Sequence, residues 1–119
     1  MARCYNIKMG KIGLGIITCN REDFYHKCYE YVPMDVVDSL ITINDGNEYK
    51  KGPSRGTYLH HSKNKGVGVS KNEAMKHLLD EGCEHIFLIE DDILIISYIR
   101  HNDTIGRITH NLSRWFYCE

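Results

Sequence analysis

The hydrophobic positions of this chain fall into short runs that predict β-strands. Runs at 11–19, 38–44 and 85–89 are mostly apolar and contain β-branched residues, as buried strands do. A shorter run at 57–61 predicts one more strand. The first run contains two glycines, which weaken its strand propensity but permit another part of the chain to approach its backbone closely.

Apolar positions at helical spacing predict two helices between these strands. Asn20 is the predicted N-cap of the first helix, with Glu22 and Asp23 in its first turn, and Pro33 ends it. The second helix is predicted over 69–80. The apolar positions are Phe24, Tyr25, Cys28 and Tyr29 in the first helix, and Ala74, Met75, Leu78 and Leu79 on one face of the second.

The order of these elements is typical of a parallel α/β sheet. Strands alternate with helices, and right-handed crossovers place the helices on the faces of the sheet. We therefore predict an α/β fold of Rossmann-like type over residues 11–96. Residues 1–10 are predicted to be a leader, and 97–119 a tail that packs on the sheet or at an interface.

Composition and charge exclude several classes of protein. The chain has 119 residues, of which 42% are hydrophobic and 26% charged, which suits one modest folded domain. The net charge of −1 gives no basic excess for binding nucleic acid. No apolar run approaches the roughly 20 residues of a membrane span, so a cytoplasmic protein is expected. The five cysteines include no C-x₂-C pair, which argues against a zinc ribbon or a disulfide framework.

Polar residues follow the predicted strands at the ends where a parallel sheet binds ligands. These segments are 18–21, 44–47, 64–68 and 90–92. The carboxyl ends of parallel strands share one edge, so we expect the segments to be neighbours. Together they offer amides and carboxylates for a base and ribose, glycines for close approach, and cations for phosphate.

The acidic segment Glu90, Asp91 and Asp92 ends the last predicted strand. Carboxylates placed together repel one another unless a cation joins them, and hard oxygen ligands suit Mg²⁺ or Mn²⁺. The alternative is a solvated acidic turn. His60 and His61 are not expected to share a metal, because adjacent strand residues point to opposite faces.

The four segments resemble, in order and spacing, the N-terminal half of a family 2 glycosyltransferase of the GT-A fold. The Thr-x-Asn-Arg turn of that family corresponds to 18–21, and its Asp-Asp-Gly-Ser segment to 44–47. Its Asn-x-Gly loop corresponds to 64–66, and the Arg-Asn pair of the following helix to 71–72. Its Asp-x-Asp motif corresponds to 90–92, as Glu-Asp-Asp.

This resemblance implies a three-layer GT-A sandwich whose mostly parallel sheet is truncated after the Asp-x-Asp strand. It implies binding of a nucleotide-diphosphate sugar, a UDP-sugar, for glycosyl transfer to an unknown acceptor. The implied nucleotide-sugar-binding residues are Thr18, Asn20, Arg21, Asp45, Gly46, Asn64, Gly66, Lys71, Glu90 and Asp91. Asp92 and Glu90 are the implied ligands of Mn²⁺ or Mg²⁺.

The resemblance also implies separate roles for several of these residues. Thr18 and Arg21 would line the nucleotide end of the pocket, and Asp45 would accept a hydrogen bond from the uracil ring. Lys71 would lie near the base and phosphates, and Asp91 would hold the ribose or the sugar. The metal at Asp92 would bridge the diphosphate and stabilise the leaving nucleotide.

No catalytic base is assigned, because Asp103 and Glu119 are the only acids after Asp92. The alternative is therefore a catalytically inactive remnant that acts as a nucleotide- or metal-binding module or as an assembly module. A third interpretation uses the acidic segment as a Mg²⁺ site for phosphoryl chemistry. The open edge of the predicted sheet favours cover by the tail or by a second copy in a homo-oligomer.

Overall fold

Residues 10–95 are described by a computed structural model and contain four strands and two helices. In chain order the elements are β1 (Ile12–Thr18), α1 (Glu22–Glu30), β2 (Ser39–Asn44), β3 (Thr57–His60), α2 (Val67–Asp80) and β4 (His85–Glu90). The predicted order of strands and helices is confirmed. The predicted leader, apart from Gly10, and the predicted tail at 97–119 lie outside the described residues.

The four strands form one all-parallel sheet in the order β3-β2-β1-β4. β1 is central, and its Gly15 lies opposite Ile41 of β2 on one side and Leu88 of β4 on the other. The chain adds β2 and β3 on one side of β1 and then crosses to the other side for β4. The predicted α/β, Rossmann-like fold is therefore present. Its topological switch point lies between β1 and β4, where open α/β folds bind ligands.

Alternate residues of β1 build two apolar cores, one on each face of the sheet. Leu14 and Ile16 pack in the same cluster as Tyr25 of α1. Ile17 packs in the second cluster with Ala74 and Leu78 of α2. Because both faces of β1 are covered, its whole sequence is apolar or small rather than alternating, as in other parallel sheets.

Gly15 lets α2 approach β1 closely. A Cβ atom at this position would lie 2.9 Å from Cδ2 of Leu88 and 3.1 Å from Cβ of Ala74. Both distances are shorter than the roughly 3.5–4.0 Å of an ordinary carbon contact. The close backbone approach that the glycines of this run suggest is therefore present at Gly15.

The predicted capping role of Asn20 is wrong. Arg21 occupies the N-cap position of α1, and no described side chain caps this helix. Asn20 instead adopts a φ of 57°, and its Oδ1 accepts a hydrogen bond from the backbone N–H of Asn47 at 2.7 Å. A left-handed conformation suits asparagine, and the side chain is used to hold the loop after β2. Glu22 and Asp23 do lie in the first turn of α1, as predicted.

The second helix begins two residues before its predicted start, and its predicted face is only partly correct. Ser70, Ala74 and Leu78 are its buried residues, at a spacing of four. Met75 and Leu79 are 41% and 57% exposed, because neighbouring helical positions differ by about 100° around the axis. In α1, Tyr25 and Cys28 are buried as predicted, but Phe24 is exposed.

Neither helix between residues 10 and 95 is long and apolar enough to cross a membrane.

Candidate functional site

The four polar segments meet at the carboxyl edge of the sheet, as the parallel topology predicts. Asn64 donates from Nδ2 to the backbone oxygen of Asp45 at 2.9 Å, which joins the loop before α2 to the loop after β2. Cys19 contacts the same oxygen from Sγ at 3.4 Å. Arg21 forms an ion pair with Asp91, which joins the end of β1 to the end of β4. These contacts bring residues from four distant parts of the sequence to one edge.

Thr18, Arg21 and Asp91 form a hydrogen-bonded group at the switch point, together with Tyr49. Thr18 donates its hydroxyl proton to Oδ2 of Asp91 at 2.8 Å, while Nη2 of Arg21 binds Oδ1 of the same carboxylate. The Tyr49 hydroxyl lies 2.5 Å from Oγ1 of Thr18 and accepts a hydrogen bond from the Arg21 backbone N–H at 3.1 Å. Since Thr18 has one proton and gives it to Asp91, the Tyr49 proton points to Thr18.

This group makes Asp91 a buried, fully partnered carboxylate. Asp91 is 1% exposed, and each of its two oxygens already has a partner. A buried carboxylate is retained only when it is paired and hydrogen-bonded in this way. In the described structure, Asp91 therefore holds Arg21 and Thr18 in place at the switch point.

Tyr49 was not among the residues predicted from the sequence. It lies between two polar residues in a segment predicted to be a loop, so no hydrophobic periodicity indicates that it is buried. The ring is nevertheless buried, with its centroid 5.7 Å from that of Tyr25, and this burial raises the pKa of the hydroxyl. A lone aromatic residue in a polar loop was the only available sign.

Asp45 lies at the centre of a second polar group, at the end of β2. Its carboxylate accepts backbone N–H bonds from Lys65 at 2.8 Å and Gly66 at 2.9 Å. Its Oδ1 also lies 2.6 Å from Nδ1 of His61. On the other side of the ring, Nε2 of His61 lies 2.5 Å from Oε1 of Glu73 in α2. His61 and Glu73 were not predicted as site residues, because only the fold brings the three side chains together.

The charges of this group shift its pKa values in opposite directions. Burial alone would lower the pKa of His61, but the hydrogen bonds and negative charges of Asp45 and Glu73 outweigh it, and the net shift is upward. Burial would raise the pKa of Asp45, but the N–H groups of Lys65 and Gly66 and the His61 ring bring it below its usual value. Asp45 is therefore ionised, and its oxygens are used within the protein.

Two predicted glycine positions are explained by close contacts or by helix geometry. A Cβ atom on Gly46 would lie 2.4 Å from Oδ1 of Asn20, so a side chain there would displace the Asn20 contact with Asn47. Gly66 is the N-cap residue of α2, with a φ of 97°. Both glycines therefore shape the loops of the carboxyl edge.

Lys71 and Glu90 form an ion pair on the α2 side of the sheet. The distance from Nζ to Oε2 is 3.2 Å, and the two side chains are 38% and 41% exposed. Both therefore remain open to solvent, and the pair is a modest contribution to stability.

The three acids at the end of β4, of which Glu90 is the last strand residue, have different environments. Glu90 is paired with Lys71, Asp91 is buried with Arg21, and the side chain of Asp92 is exposed. Within residues 10–95, no group of three or more His, Cys, Asp or Glu side chains is arranged to hold a metal ion. Mg²⁺, however, is usually bound by one or two carboxylates together with substrate phosphates. Asp92, whose side chain is exposed and lines the cleft described below, offers one such carboxylate.

His60, the last residue of β3, and His61, which follows the strand, have separate partners. The Nε2 atom of His60 lies 2.7 Å from the backbone oxygen of Gly46, whereas His61 contacts two carboxylates.

An open cleft of about 290 Å³ lies beside the switch point, between α1 and the residues after β4. Its apolar surface comes from Phe24 and Leu94, and Arg21 lies over the Phe24 ring at 5.1 Å from the centroid. The remaining lining residues are charged and are Asp23, Lys27, Asp91 and Asp92. Apolar walls with a few charged groups are typical of small-molecule sites.

No protein-family model matches this chain, and a search of curated proteins finds no significant match. The function is therefore inferred from the fold and from the geometry of the carboxyl edge.

Proposed function

We propose that this domain binds a nucleotide-diphosphate sugar, a UDP-sugar, with Mn²⁺ or Mg²⁺, as the donor-binding part of a glycosyltransferase. The observation that supports this proposal is the position of Arg21, Asp91 and Asp92 at the topological switch point. Open α/β sheets bind ligands at this position, outside the carboxyl ends of their strands. The resemblance of the four edge segments to a family 2 glycosyltransferase supplies the substrate class.

Arg21 is the residue best placed to bind a phosphate. Its side chain is 45% exposed although it is paired with Asp91. A guanidinium has five N–H donors, so the pairing with one carboxylate oxygen leaves donors for a phosphate oxygen. Asp91 then serves to orient the guanidinium towards the cleft.

Asp92 is the proposed metal ligand at the cleft, whereas Glu90, the other ligand that the resemblance implies, pairs with Lys71 on the α2 side of the sheet. The side chain of Asp92 is exposed and lines the cleft. A divalent ion bound here supplies charge neutralisation of the diphosphate leaving group.

Thermal unfolding with UDP, GDP and ADP, each with and without Mn²⁺, tests this proposal. A ligand at about 100 times its dissociation constant raises the free energy of unfolding by about 2.7 kcal/mol, a visible shift for a small domain. We expect a shift with UDP that requires Mn²⁺. We expect Asp92→Asn to remove this shift while leaving the melting temperature without ligand unchanged.

Asp80→Asn is the matched control for that variant. It makes the same change of charge on α2, where Asp80 is 67% exposed and pairs with Lys76. The control should keep the full response to UDP and Mn²⁺. Equal responses of the two variants would contradict the metal assignment, and no response to any nucleotide would contradict the proposed function.

A second candidate is a binding module without turnover. Of the three acids at the end of β4, Glu90 and Asp91 are each paired with a cation, and Asp92 is the proposed metal ligand. None of the three is left to act as a catalytic base. This candidate predicts stabilisation by UDP and Mn²⁺ without release of UDP from a UDP-sugar, whereas release of UDP would favour the enzyme.

A further inference from the structure

The ring of His61 lies between two carboxylates, and the geometry depends on its protonation. Nδ1 is 2.6 Å from Asp45, and Nε2 is 2.5 Å from Glu73. Only an imidazolium donates a hydrogen bond from both nitrogens. A neutral ring would place an acceptor nitrogen against a carboxylate oxygen, which is unfavourable unless that carboxylate is protonated.

The two carboxylates differ in how firmly they are held. Asp45 is buried, and the backbone N–H groups of Lys65 and Gly66 fix its orientation. The Glu73 side chain is 35% exposed and can turn towards water. Lys65 is the other charged group in this cluster, with Nζ 3.9 Å from Glu73. Loss of a proton from His61 should therefore break the contact with Glu73 and preserve the contact with Asp45.

We propose that His61 is a proton-dependent positioning residue that links α2 to the carboxyl edge of the sheet. As an imidazolium it joins Glu73 to Asp45. As a neutral imidazole it releases Glu73, and α2 loses its connection to the end of β2 through this ring. The loop of residues 61–66 and the first turns of α2 are then less firmly held.

This link regulates the proposed nucleotide site, a consequence that rests on the proposed function. Asn64, Gly66 and Lys71 lie on the loop and helix that His61 connects to Asp45. Affinity for UDP with Mn²⁺ should therefore fall as the pH rises through the titration of His61. The protonation of His61 itself requires no nucleotide.

Nuclear magnetic resonance of the histidine ring nitrogens tests the link in the free protein. The His61 signals are identified by their loss in His61→Gln. At about pH 6 we expect both nitrogens of His61 to show the shifts of an imidazolium. We expect Glu73→Gln, which removes one negative charge at a partly exposed position, to lower the titration midpoint by about one pH unit.

Asp80→Asn is the control here too, because it removes a carboxylate at the far end of the same helix, where Asp80 is exposed and pairs with Lys76. Its midpoint should equal that of the unmodified protein. The amide signal of Glu73 should move with the same midpoint, and that of Gly66 should move less. A neutral ring at about pH 6, or a midpoint that Glu73→Gln leaves unchanged, would overturn the proposal.

Melting curves with UDP and Mn²⁺ at about pH 6 and pH 8 separate this inference from the proposed function. A larger shift at the lower pH supports regulation of the site through His61. Equal shifts at both pH values overturn that regulation. If no shift occurs at either pH while the ring titrates as expected, the link is supported and the proposed function fails.

Discussion

At the scale of single residues, one hydroxyl group connects three parts of the carboxyl edge. The Tyr49 hydroxyl accepts the Arg21 backbone N–H and donates to Thr18, which donates to Asp91. Each hydroxyl acts as both donor and acceptor, and such chains reinforce their members. The position of Arg21, and with it the proposed phosphate contact, therefore depends on a tyrosine from the loop after β2.

Tyr49→Phe removes this hydroxyl and keeps the ring. We expect the free energy of unfolding to fall by about 1–2 kcal/mol, because the Arg21 N–H loses its partner in a partly buried position. Chemical denaturation measures the change. Tyr31→Phe is the matched control, because Tyr31 is exposed, and it should change the stability little. A Tyr49→Phe protein as stable as the control would show that the hydroxyl chain contributes nothing.

At the scale of the elements, the contact of α2 with β1 depends on the absence of a side chain at Gly15. Of the two nearest atoms, Cδ2 of Leu88 can move by a side-chain rotation, but Cβ of Ala74 is fixed to the helix. The pattern of apolar positions predicted both elements and their order. It predicted the face of α2 only in part: Ala74 and Leu78 are buried as predicted, but Met75 and Leu79 are exposed, and the small residue Ser70 completes the contact.

Gly15→Ala should force α2 away from β1. Overpacking of a tight core costs about 1–3 kcal/mol. This cost should exceed the stabilisation of about 0.4–1 kcal/mol that alanine brings by restricting the unfolded chain. Gly52→Ala is the control, because no described atom lies within 4 Å of the added carbon. Denaturant midpoints of the two variants decide the matter, and a Gly15→Ala protein as stable as Gly52→Ala would contradict the close-packing account.

At the scale of the whole molecule, the sequence predicts those features of the fold that follow from local patterns of apolar and polar residues. The alternation of elements gives the parallel sheet, and the sheet places Thr18, Asp45 and Asp91 at one edge. The sequence does not reveal which polar side chains are buried and paired with other residues of the fold. Asp45 and Asp91 read as open ligands, yet both are buried and paired. Their partners are up to 73 positions away in the chain, so no local spacing indicates the pairs.

The buried pair of Asp45 and His61 also makes the stability of the whole domain depend on pH. The folded pKa of His61 is raised, so its contribution is complete below its unfolded pKa of about 6.5 and is lost as the pH rises through the folded value. The folded pKa of Asp45 is lowered, so its contribution is complete above its unfolded pKa of about 4 and is lost as the pH falls through the folded value.

The combined contribution of Asp45 and His61 to the stability of the folded domain should therefore be greatest between about pH 4 and pH 6.5. We expect the free energy of unfolding to decrease as the pH rises above that range, and His61→Gln to remove the part of this decrease that His61 causes. His26→Gln is the control, because it removes a histidine from the surface of α1, and it should keep the decrease. Denaturant unfolding at a series of pH values measures the slopes. A slope unchanged by His61→Gln would mean that the ring does not gain a proton on folding, since only a group that binds protons differently in the two states contributes to the slope.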